Sequence, residues 1–495
     1  MPFDANTSDA SAQRAYAHGL AATRALAKAE QKRLGQFMTP PAIAGFMARR
    51  AVQGLGGRPV VRVLEPAAGS GVLAAAAVEA LLALPEKPQR IELLMCELDE
   101  RLAPSLHALA GVLVARCEQA GTELRVCVET GDFLLSSLAG ARAPEVDLVI
   151  ANPPYFKLAK HDPRAQAHAE YIWGQPNIYG LFMAACARLL RPGGRYCFIT
   201  PRSWMSGPYF GRVREHLLRH IHLDALHVFD SRQEHFGEDA VLQESAIVWG
   251  SAQVAHPVVH CSTSHGTADL ASARVRRVSP AELGVHSAGA VLRVPGDGPG
   301  LGHLRQTLGD LGLRVSTGPV VAFRAAGHLS SEPGDGRAPL LWLQHVRPMQ
   351  VRWPIDKKRE HIGVNADSAW MLLPNAPMVL LRRFSPKEDA QRVIAAPYLG
   401  ELAGDWIGLE NHLNYIHSPQ GRLSPQEAIG LAAYLNSQPV SDHFAAISGH
   451  TQVNAGDLRQ LPVPPLEELI GLGRQLGAGS DPATARALAN ALLRA

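Results

Sequence analysis

The chain has almost no net charge, no long apolar run and few cysteines. Its 48 Lys and Arg are nearly balanced by 45 Asp and Glu, which leaves a net charge of +3 over 495 residues. A charge this small carries no electrostatic footprint of a nucleic-acid partner. No segment approaches the ~18 consecutive apolar residues that span a bilayer, so no membrane partner is predicted. The N-terminal residues include early aspartates and no apolar segment, which excludes a secretory signal peptide.

The six cysteines form no CxxC pair and have no spacing typical of metal ligands. Most of them lie within apolar runs, which is typical of small buried side chains in a reduced, cytoplasmic protein. The 21 histidines are scattered and include no HExxH motif, so no metal site is predicted. The cysteines are Cys96, Cys117, Cys127, Cys186, Cys197 and Cys261.

The length of 495 residues predicts two or three domains. From residue 60 to about 250, strand-length apolar runs alternate with helical segments, as in Val60–Leu64 followed by Gly71–Leu84. This alternation predicts an α/β fold with a parallel sheet covered by helices on both faces. Residues 251–310 are rich in Gly, Ser, Ala and Pro and are interpreted as a connection. Residues 311–495 hold short strand-like pieces and many prolines, which predicts a second, α+β domain.

The first predicted strand runs into a glycine-containing turn that is suited to a ligand. In the segment Glu65–Gly71, Gly69 and Gly71 let the backbone approach a ligand where a Cβ would clash. The turn lacks the GxGxxG pattern of a dinucleotide site. It therefore favours a ligand with a cationic group for Glu65 over a ligand with a phosphate.

Two further acidic residues follow later in the chain. Glu97 ends the next strand, where a carboxylate can accept hydrogen bonds from both ribose hydroxyls. Asp132 offers a carboxylate to an exocyclic amine, and Phe133 offers a ring on which a base can stack. In this order the features predict S-adenosylmethionine, which has an amino-acid head, a ribose and an adenine but no phosphate.

A second constellation, Asn152-Pro153-Pro154-Tyr155, directly follows the apolar run Val146–Ala151. The two prolines rigidify the loop and leave carbonyl groups that can only accept hydrogen bonds. The Asn152 oxygen beside such a carbonyl forms a pair of acceptors suited to a planar –NH2 group, and the Tyr155 ring offers a face to a planar substrate. The alternative is a rigid turn that does no more than end a strand.

These motifs, in this order, resemble the gamma-class N6-adenine DNA methyltransferases of type II restriction–modification systems, and among them the PstI- and BsuBI-like subgroup. The resemblance covers residues 35–250 and includes Gly35–Pro40 and Asn177–Tyr179. It implies a Rossmann-like, S-adenosylmethionine-dependent catalytic domain there, a helical extension at 1–34 and a C-terminal target-recognition domain at 311–495. The implied activity is methyl transfer to N6 of an adenine flipped out of duplex DNA, which depends on orientation more than on a strong base.

The resemblance also implies a role for each motif residue. On the cofactor side, Thr39, Glu65 and Ala67 would hold the methionine part, Glu97 the ribose, and Asp132 with Phe133 the adenine, in a site completed by Gly69, Gly71 and Asn152. On the target side, Asn152 and the Pro153 carbonyl would grip the N6 amine, and Tyr155, beyond Pro154, would stack on the base. Phe236 is the candidate for the opposite face of the base, with a core or loop phenylalanine as the alternative.

The C-terminal half contains a basic segment that the whole-chain charge conceals. Residues 337–392 hold ten Lys and Arg against five Asp and Glu, a local net charge of +5. With aromatic residues between them, these charges predict phosphate contacts with double-stranded DNA, and an ordinary solvated surface is the alternative. The basic residues are Arg337, Arg347, Arg352, Lys357, Lys358, Arg359, Arg382, Arg383, Lys387 and Arg392.

Several alternatives stay open. Asn-Pro-Pro-Tyr motifs also occur in methyltransferases that act on a protein glutamine or an RNA base, but the long region after the core favours DNA. The chain could also be a catalytically silent DNA-binding subunit, against which the intact Asn152–Tyr155 motif argues. A fused nuclease is not expected, so a cognate restriction endonuclease would be encoded separately. Monomer and dimer are both compatible with the sequence.

The polar segment 156–176 has two interpretations. It is either a loop that closes on DNA or a solvated connection without a function.

Overall fold

The fold, taken from a computed structural model, divides into two compact units, Met1–Val294 and Pro295–Ala495. Each unit is described by itself. The structure describes residues 10–24, 38–136, 146–229, 245–285, 291–292, 300–301, 303–356, 359–384, 391–419, 423–447 and 453–494.

The first unit is built on a nine-stranded sheet with helices on both faces. Its strands are β1 (Val60–Glu65), β2 (Arg90–Glu97), β3 (Glu123–Thr130), β4 (Val146–Ala151), β5 (Leu190–Pro201), β6 (Ile221–Phe229), β7 (Ser245–Ala252), β8 (Val259–Ser264) and β9 (Arg274–Val278). Its helices are α1 (Ala10–Arg24), α2 (Pro41–Ala51), α3 (Val72–Leu82), α4 (Ala103–Gln119), α5 (Pro163–Ala167), α6 (Ile178–Leu189), α7 (Ser203–Ser206), α8 (Gly211–His220) and α9 (Pro280–Leu283).

The strands lie in the order β3-β2-β1-β4-β5-β7-β6-β8-β9. Strands β1 to β5 pair in parallel, whereas β7 runs antiparallel between β5 and β6. The predicted α/β class is therefore confirmed. The strand order reverses between β1 and β4, because β1 pairs with β2 on one side and with β4 on the other. In open α/β sheets, ligands bind beyond the carboxyl ends of the strands at such a reversal.

Apolar side chains cover the two faces of the sheet as two separate cores. Helices α1 to α4 contribute to one core, and α6 and α8 contribute to the other. Helix α3 is almost wholly apolar and buried, because it lies between the sheet and its neighbouring helices. Both faces of β4 are buried as well, which explains its unbroken apolar run.

The sheet is wider than the sequence analysis predicted. Strand β3 escapes detection because, as an edge strand, it alternates charged and apolar residues and exposes most of its length. The interpretation of residues 251–310 as a connection is wrong at its beginning. Strands β8 and β9 lie in that segment and extend the sheet, with β8 parallel to β6 and β9 antiparallel to β8.

The second unit combines small sheets with a group of helices. Its strands are β10 (Gln306–Thr307), β11 (Arg314–Thr317), β12 (Leu329–Ser330), β13 (Arg337–Leu341), β14 (Val346–Arg347), β15 (Gln350–Val351), β16 (His361–Gly363), β17 (Leu372–Pro374), β18 (Met378–Arg382), β19 (Ala395–Tyr398), β20 (Trp406–Leu409), β21 (Leu413–His417) and β22 (Pro462–Val463). Its helices are α10 (Pro425–Leu435), α11 (Gln438–Ile447), α12 (Ala455–Arg459), α13 (Leu466–Leu476) and α14 (Pro482–Leu492). The larger sheets have the orders β11-β21-β18-β19 and β12-β16-β13-β20-β17.

Helices α10 and α13 pack backbone against backbone through two glycines. A Cβ on Gly430 of α10 would lie 1.8 Å from the carbonyl oxygen of Leu469, and a Cβ on Gly473 of α13 would lie 1.9 Å from that of Gln426. Only glycine allows this separation, because a clash with a carbonyl oxygen cannot be relieved by a rotamer change.

The variant Gly430→Ala is expected to destabilise the second unit by about 3 kcal/mol, the upper end of the usual cost of overpacking. Gly471 of α13 is the matched control, because open space surrounds the position of its Cβ. Gly471→Ala is expected to be neutral or to stabilise by up to ~1 kcal/mol through helix propensity. Denaturant unfolding of both variants tests the helix crossing, and equal midpoints would contradict it.

Candidate active site

A cavity of about 450 Å³ lies beyond the carboxyl ends of β1, β2 and β4. This size is within the range of small-molecule and cofactor sites. Strands β1 and β4 pair in parallel with Val63 opposite Leu148 and Leu64 opposite Val149, so the residues that follow them meet at one edge of the sheet.

Most of the residues predicted from the sequence line this cavity. They are Thr39, Glu65, Ala67, Gly69, Glu97, Asp132, Phe133, Asn152 and Pro154. Gly71, Pro153 and Tyr155 are not among its lining residues. Phe236 and residues 35–37 lie outside the described part of the chain. The order of the motifs therefore located the cavity, and Gly71 and Tyr155 have other contacts.

Glu65 is a buried carboxylate at the end of β1, with 1% of its surface exposed. Its Oε2 accepts a hydrogen bond of 2.9 Å from the backbone N–H of Ala74 in α3. Burial raises the pKa of Glu65 well above its usual range, and the nearby Glu97 adds to the shift. A cationic ligand in the cavity would offset the cost of ionising this carboxyl group.

Gly71 has a conformational and packing role, and its predicted part in the cofactor site stays a prediction. It precedes α3 with φ of +82°, a value that favours glycine. A Cβ at this position would lie 2.4 Å from Cδ2 of Leu109. Gly71 therefore allows α3 and α4 to pack closely behind the turn.

Glu97, at the end of β2, ties the turn after β1 to its own strand. Its Oε2 accepts from the backbone N–H of Gly69 at 2.7 Å, and its Oε1 accepts from the N–H of Asp99 at 2.8 Å. Burial raises its pKa. Each carboxylate oxygen keeps a lone pair for a further donor, such as a ligand hydroxyl.

The turn after β3 brings a carboxylate and an aromatic ring to the cavity. Asp132 Oδ1 accepts from the backbone N–H of Leu134 at 3.0 Å. Burial is the main reason that the pKa of Asp132 is raised. Phe133 stacks on Phe182 of α6, with ring centroids 5.5 Å apart and planes 22° from parallel. This end of the cavity suits a flat ring with an amine at its edge.

The Asn152 amide has a defined orientation after β4. Its Nδ2 donates to Thr39 Oγ1 at 3.0 Å, and its Oδ1 accepts from the Tyr155 hydroxyl. That hydroxyl also lies 3.1 Å from the carbonyl oxygen of Ile199, and burial raises the pKa of Tyr155 well above its usual range. In this arrangement Oδ1 is the acceptor end of the amide and Nδ2 is its donor end.

The segment 156–176, the covering segment, contributes to the lining of the cavity, and its closing on DNA stays a prediction. Its two ends are joined by hydrogen bonds of 3.0 Å, from Leu158 N–H to the Pro176 carbonyl and from Ile178 N–H to the Phe156 carbonyl. Six of its residues line the cavity: Phe156, Lys157, Leu158, Ala159, Asp162 and Arg164. Their polar composition is that of a surface loop, and only Asp162-Pro163, a helix-start signal, indicated local order.

No group of three or more His, Cys, Asp or Glu residues in the described part of the chain is arranged to hold a metal ion. The six cysteines are free, and Cys127 is the exposed one. Each helix in the described segments is too short or too polar to cross a membrane.

Comparison with known proteins establishes the family. Residues 134–236 match the Eco57I restriction-modification methylase family. The chain is 32% identical over 462 residues to the type II methyltransferase M.BsuBI of Bacillus subtilis, covering 89% of each chain. It is 32% identical over 475 residues to the type II methyltransferase M.PstI of Providencia stuartii, covering 93% of this chain and 92% of the relative. The chain belongs to the type II methyltransferases of restriction–modification systems.

As a type II methyltransferase, the chain takes its methyl group from S-adenosylmethionine and acts on DNA. The predicted family and its PstI- and BsuBI-like subgroup are thereby confirmed. The fold of the type IIL restriction-modification enzyme MmeI, solved in complex with DNA, is similar at a TM-score of 0.54 and 11% identity, covering 96% of this chain and 74% of that one. The interpretations as a protein-glutamine or RNA methyltransferase are set aside.

The cavity of this type II methyltransferase fits the cofactor in its donor chemistry. Two buried carboxylates, Glu65 and Glu97, suit a cationic amino acid and a ribose. The aromatic end at Phe133 and Phe182 suits an adenine, and Asp132 provides an acceptor there. No arginine cluster or GxGxxG turn directs a phosphate into the cavity, which agrees with a cofactor that has none.

Proposed function

We propose that the protein methylates N6 of an adenine in a specific double-stranded DNA sequence, with the adenine flipped out of the helix. One observation carries this proposal: the Asn152 amide borders the cofactor cavity with its oxygen oriented as an acceptor. An acceptor beside a methyl donor suits an exocyclic amine, which must present its lone pair for methylation. Flipping the base costs a few kcal/mol.

On the cofactor side, we assign the methionine part to Thr39, Glu65 and Ala67, and the ribose to Glu97. The turn at Gly69 presents the backbone to the same ligand, and Asp132 with Phe133 binds the adenine. Bound S-adenosylmethionine supplies a methyl group on a sulfonium, which is a good leaving group. The chain itself has to bind, align and keep water from this group.

On the target side, we assign the N6 amine to Asn152 Oδ1 and the Pro153 carbonyl. Two acceptors on one amine draw its lone pair out of conjugation with the purine ring. The Tyr155 ring contacts Tyr179 edge to face at 6.0 Å, and its hydroxyl points to Asn152, so the ring is held beside the amide where it can stack on the base. After the transfer, the methylated amine loses a proton to solvent. This chemistry does not require a strong base in the site.

We assign recognition of the DNA sequence to the second unit. Arg337, Arg347, Arg352 and Arg359 are exposed there, and Trp370 keeps 67% of its surface exposed. Arg382 and Arg383 are less suited to phosphate contacts, because they are only partly exposed and donate to the backbone carbonyls of Val346 and Asn411. Lys357, Lys358 and Lys387 lie outside the described residues.

The proposed biological role is protection of DNA against a restriction endonuclease that is encoded separately. Monomeric and dimeric forms are both compatible with this role.

The decisive experiment is expression of the chain in a host that lacks DNA methylation, followed by sequencing that distinguishes modified bases. N6-methyladenine at one short sequence motif is expected. An Asn152→Ala control should leave the same DNA unmodified. Methylation of cytosine N4 in place of adenine N6, or no modification at all, would reject the proposal.

A further inference from the structure

Arg164 of the covering segment lies at the end of the cavity that is proposed to bind the adenine. It belongs to α5 and lines the cavity. Its Nε and one terminal nitrogen donate to the two carboxylate oxygens of Asp162 at 2.8 and 2.7 Å. Its other terminal nitrogen lies 3.7 Å from Oδ2 of Asp132. The guanidinium is planar and rigid, so the fork to Asp162 also fixes the side that faces Asp132.

Two more contacts hold this arrangement in place. The Arg164 guanidinium lies over the ring of Phe156, 5.7 Å from its centroid. The buried His168, at the end of the same helical turn, contacts the carbonyl oxygen of Leu134 through Nε2 at 2.8 Å. The covering segment is therefore fastened to the turn that carries Asp132 and Phe133 at two points.

The charges around Asp132 act in opposite directions. Burial and the carboxylate of Asp162 both raise the pKa of Asp132. Arg164 lowers it, as do the backbone N–H groups of Leu134 and Leu135. Arg164 is the only cation among these neighbours of Asp132. Removal of the Arg164 charge would leave the half-buried carboxyl group of Asp132 beside the carboxylate of Asp162, which would destabilise the ionised form of Asp132.

We propose that Arg164 is a positioning residue for the cofactor: it orients the carboxylate of Asp132 to accept a hydrogen bond from the exocyclic amine of the cofactor's adenine. This inference rests on the assignment of Asp132 to the adenine under the proposed function. Because Phe156 directly follows the Asn152–Tyr155 motif, the same guanidinium joins the target loop to the adenine pocket.

The test compares two ligands that differ at this amine, S-adenosylhomocysteine and its deaminated inosine counterpart, by calorimetric titration without DNA. The wild-type protein is expected to prefer the amine ligand by about 10- to 100-fold, the range of a hydrogen bond to a charged group. Arg164→Gln is expected to reduce this preference by about tenfold, chiefly through weaker binding of the amine ligand. Arg164→Lys keeps the charge without the fork and should restore part of the preference.

Arg101 provides a matched control. It forms the same fork to the aspartate two residues before it, at 2.7 and 2.9 Å from the oxygens of Asp99, but it does not line the cavity. Arg101→Gln should leave the preference for the amine ligand unchanged.

Two results would overturn the inference: Arg164→Gln weakening both ligands equally, or a wild-type protein that does not distinguish them. If Arg164→Gln does not fold, Asp162→Asn provides the test. This variant breaks the fork between Asp162 and Arg164 and retains the Arg164 charge. An unchanged preference for the amine ligand in Asp162→Asn would also overturn the inference. Failure of the proposed function is a separate result, because absence of N6-methyladenine in DNA leaves the ligand preference unaltered.

Discussion

Replacing Asn152 with alanine is expected to lower kcat by about a thousandfold, comparable to the loss of one preorganised polar group at a reacting centre. The variant removes the oxygen proposed to accept from the target amine. It leaves Glu65, Glu97 and Asp132 in place, so the Kd of the cofactor should change by less than about threefold, within the effect of one neutral hydrogen bond. Methyl transfer to duplex DNA and calorimetric titration of S-adenosylhomocysteine measure the two quantities.

Tyr155→Phe is the control that separates the amide from the ring beside it. The variant removes the hydroxyl that donates to Asn152 Oδ1 and retains the aromatic face. We expect a loss of about tenfold in kcat, the value of one hydrogen bond that orients a group. An Asn152→Ala protein that keeps more than a tenth of the wild-type kcat would show that the amide is not the acceptor.

Glu65→Gln is expected to weaken binding of the cofactor by about a hundredfold and, at the same time, to stabilise the free protein. The first effect follows from loss of a buried charge paired with a cationic ligand, which costs roughly 3 kcal/mol or more. The second follows from burial. The carboxyl group of Glu65 has a raised pKa in the folded state, so the unfolded state loses its proton first and gains stability as pH rises.

The pH dependence of this second effect has a definite sign. Below the unfolded pKa of a glutamate, about 4.3, Glu65 is protonated in both states and the variant should melt like the wild type. As pH rises from there toward the raised folded pKa, the wild type should lose stability relative to Glu65→Gln. Thermal unfolding of both proteins between pH 4 and pH 8 measures the difference.

Glu92 provides the opposite case within the same sheet. Its hydrogen bond from Arg62 lowers its pKa, so its ionised form stabilises the folded state above the unfolded pKa, and this stability is lost as pH falls. Glu92→Gln should therefore lower the melting temperature near neutral pH and leave cofactor binding unchanged. If Glu65→Gln also lowered the melting temperature near neutral pH, the interpretation of Glu65 would be wrong. That interpretation is that burial destabilises its ionised form and that a cationic ligand offsets the cost.

Much of the site could be predicted from the sequence because its residues directly follow buried parallel strands. Glu65, Glu97 and Asn152 come immediately at the ends of β1, β2 and β4, whose apolar runs are visible in the sequence. The carboxyl ends of parallel strands share one edge, so local pattern sufficed to bring distant residues together. Asp132 and Phe133 were predicted from the order of the motifs, because β3, which precedes them, is an exposed edge strand without a continuous apolar run.

The remaining features depend on contacts that no local pattern encodes. Arg164 acts through Asp132, 32 positions away, and its surroundings look like a solvated loop in the sequence. In the sequence, Gly71 is part of a turn suited to a ligand. Its positive φ and its closeness to Leu109, which explain its role in helix packing, are visible only in the structure. Strands β8 and β9 lie in a stretch, residues 251–310, whose overall composition is that of a connection, and only the pairing of β8 with β6 and of β9 with β8 makes them part of the sheet.

The pairing of β1 with β4 has a consequence for the entropy of the reaction. Glu65, which is proposed to bind the cofactor, ends β1, and Asn152, which is proposed to bind the target amine, follows β4; the two strands lie side by side with Leu64 opposite Val149. Neighbouring strands are about 4.8 Å apart, and backbone hydrogen bonds maintain that spacing. The relative placement of donor and acceptor is thus achieved when the sheet folds. In the proposed reaction the rigid sheet holds the two binding groups in place, so the cofactor and the flipped base, and not the protein, lose freedom on binding.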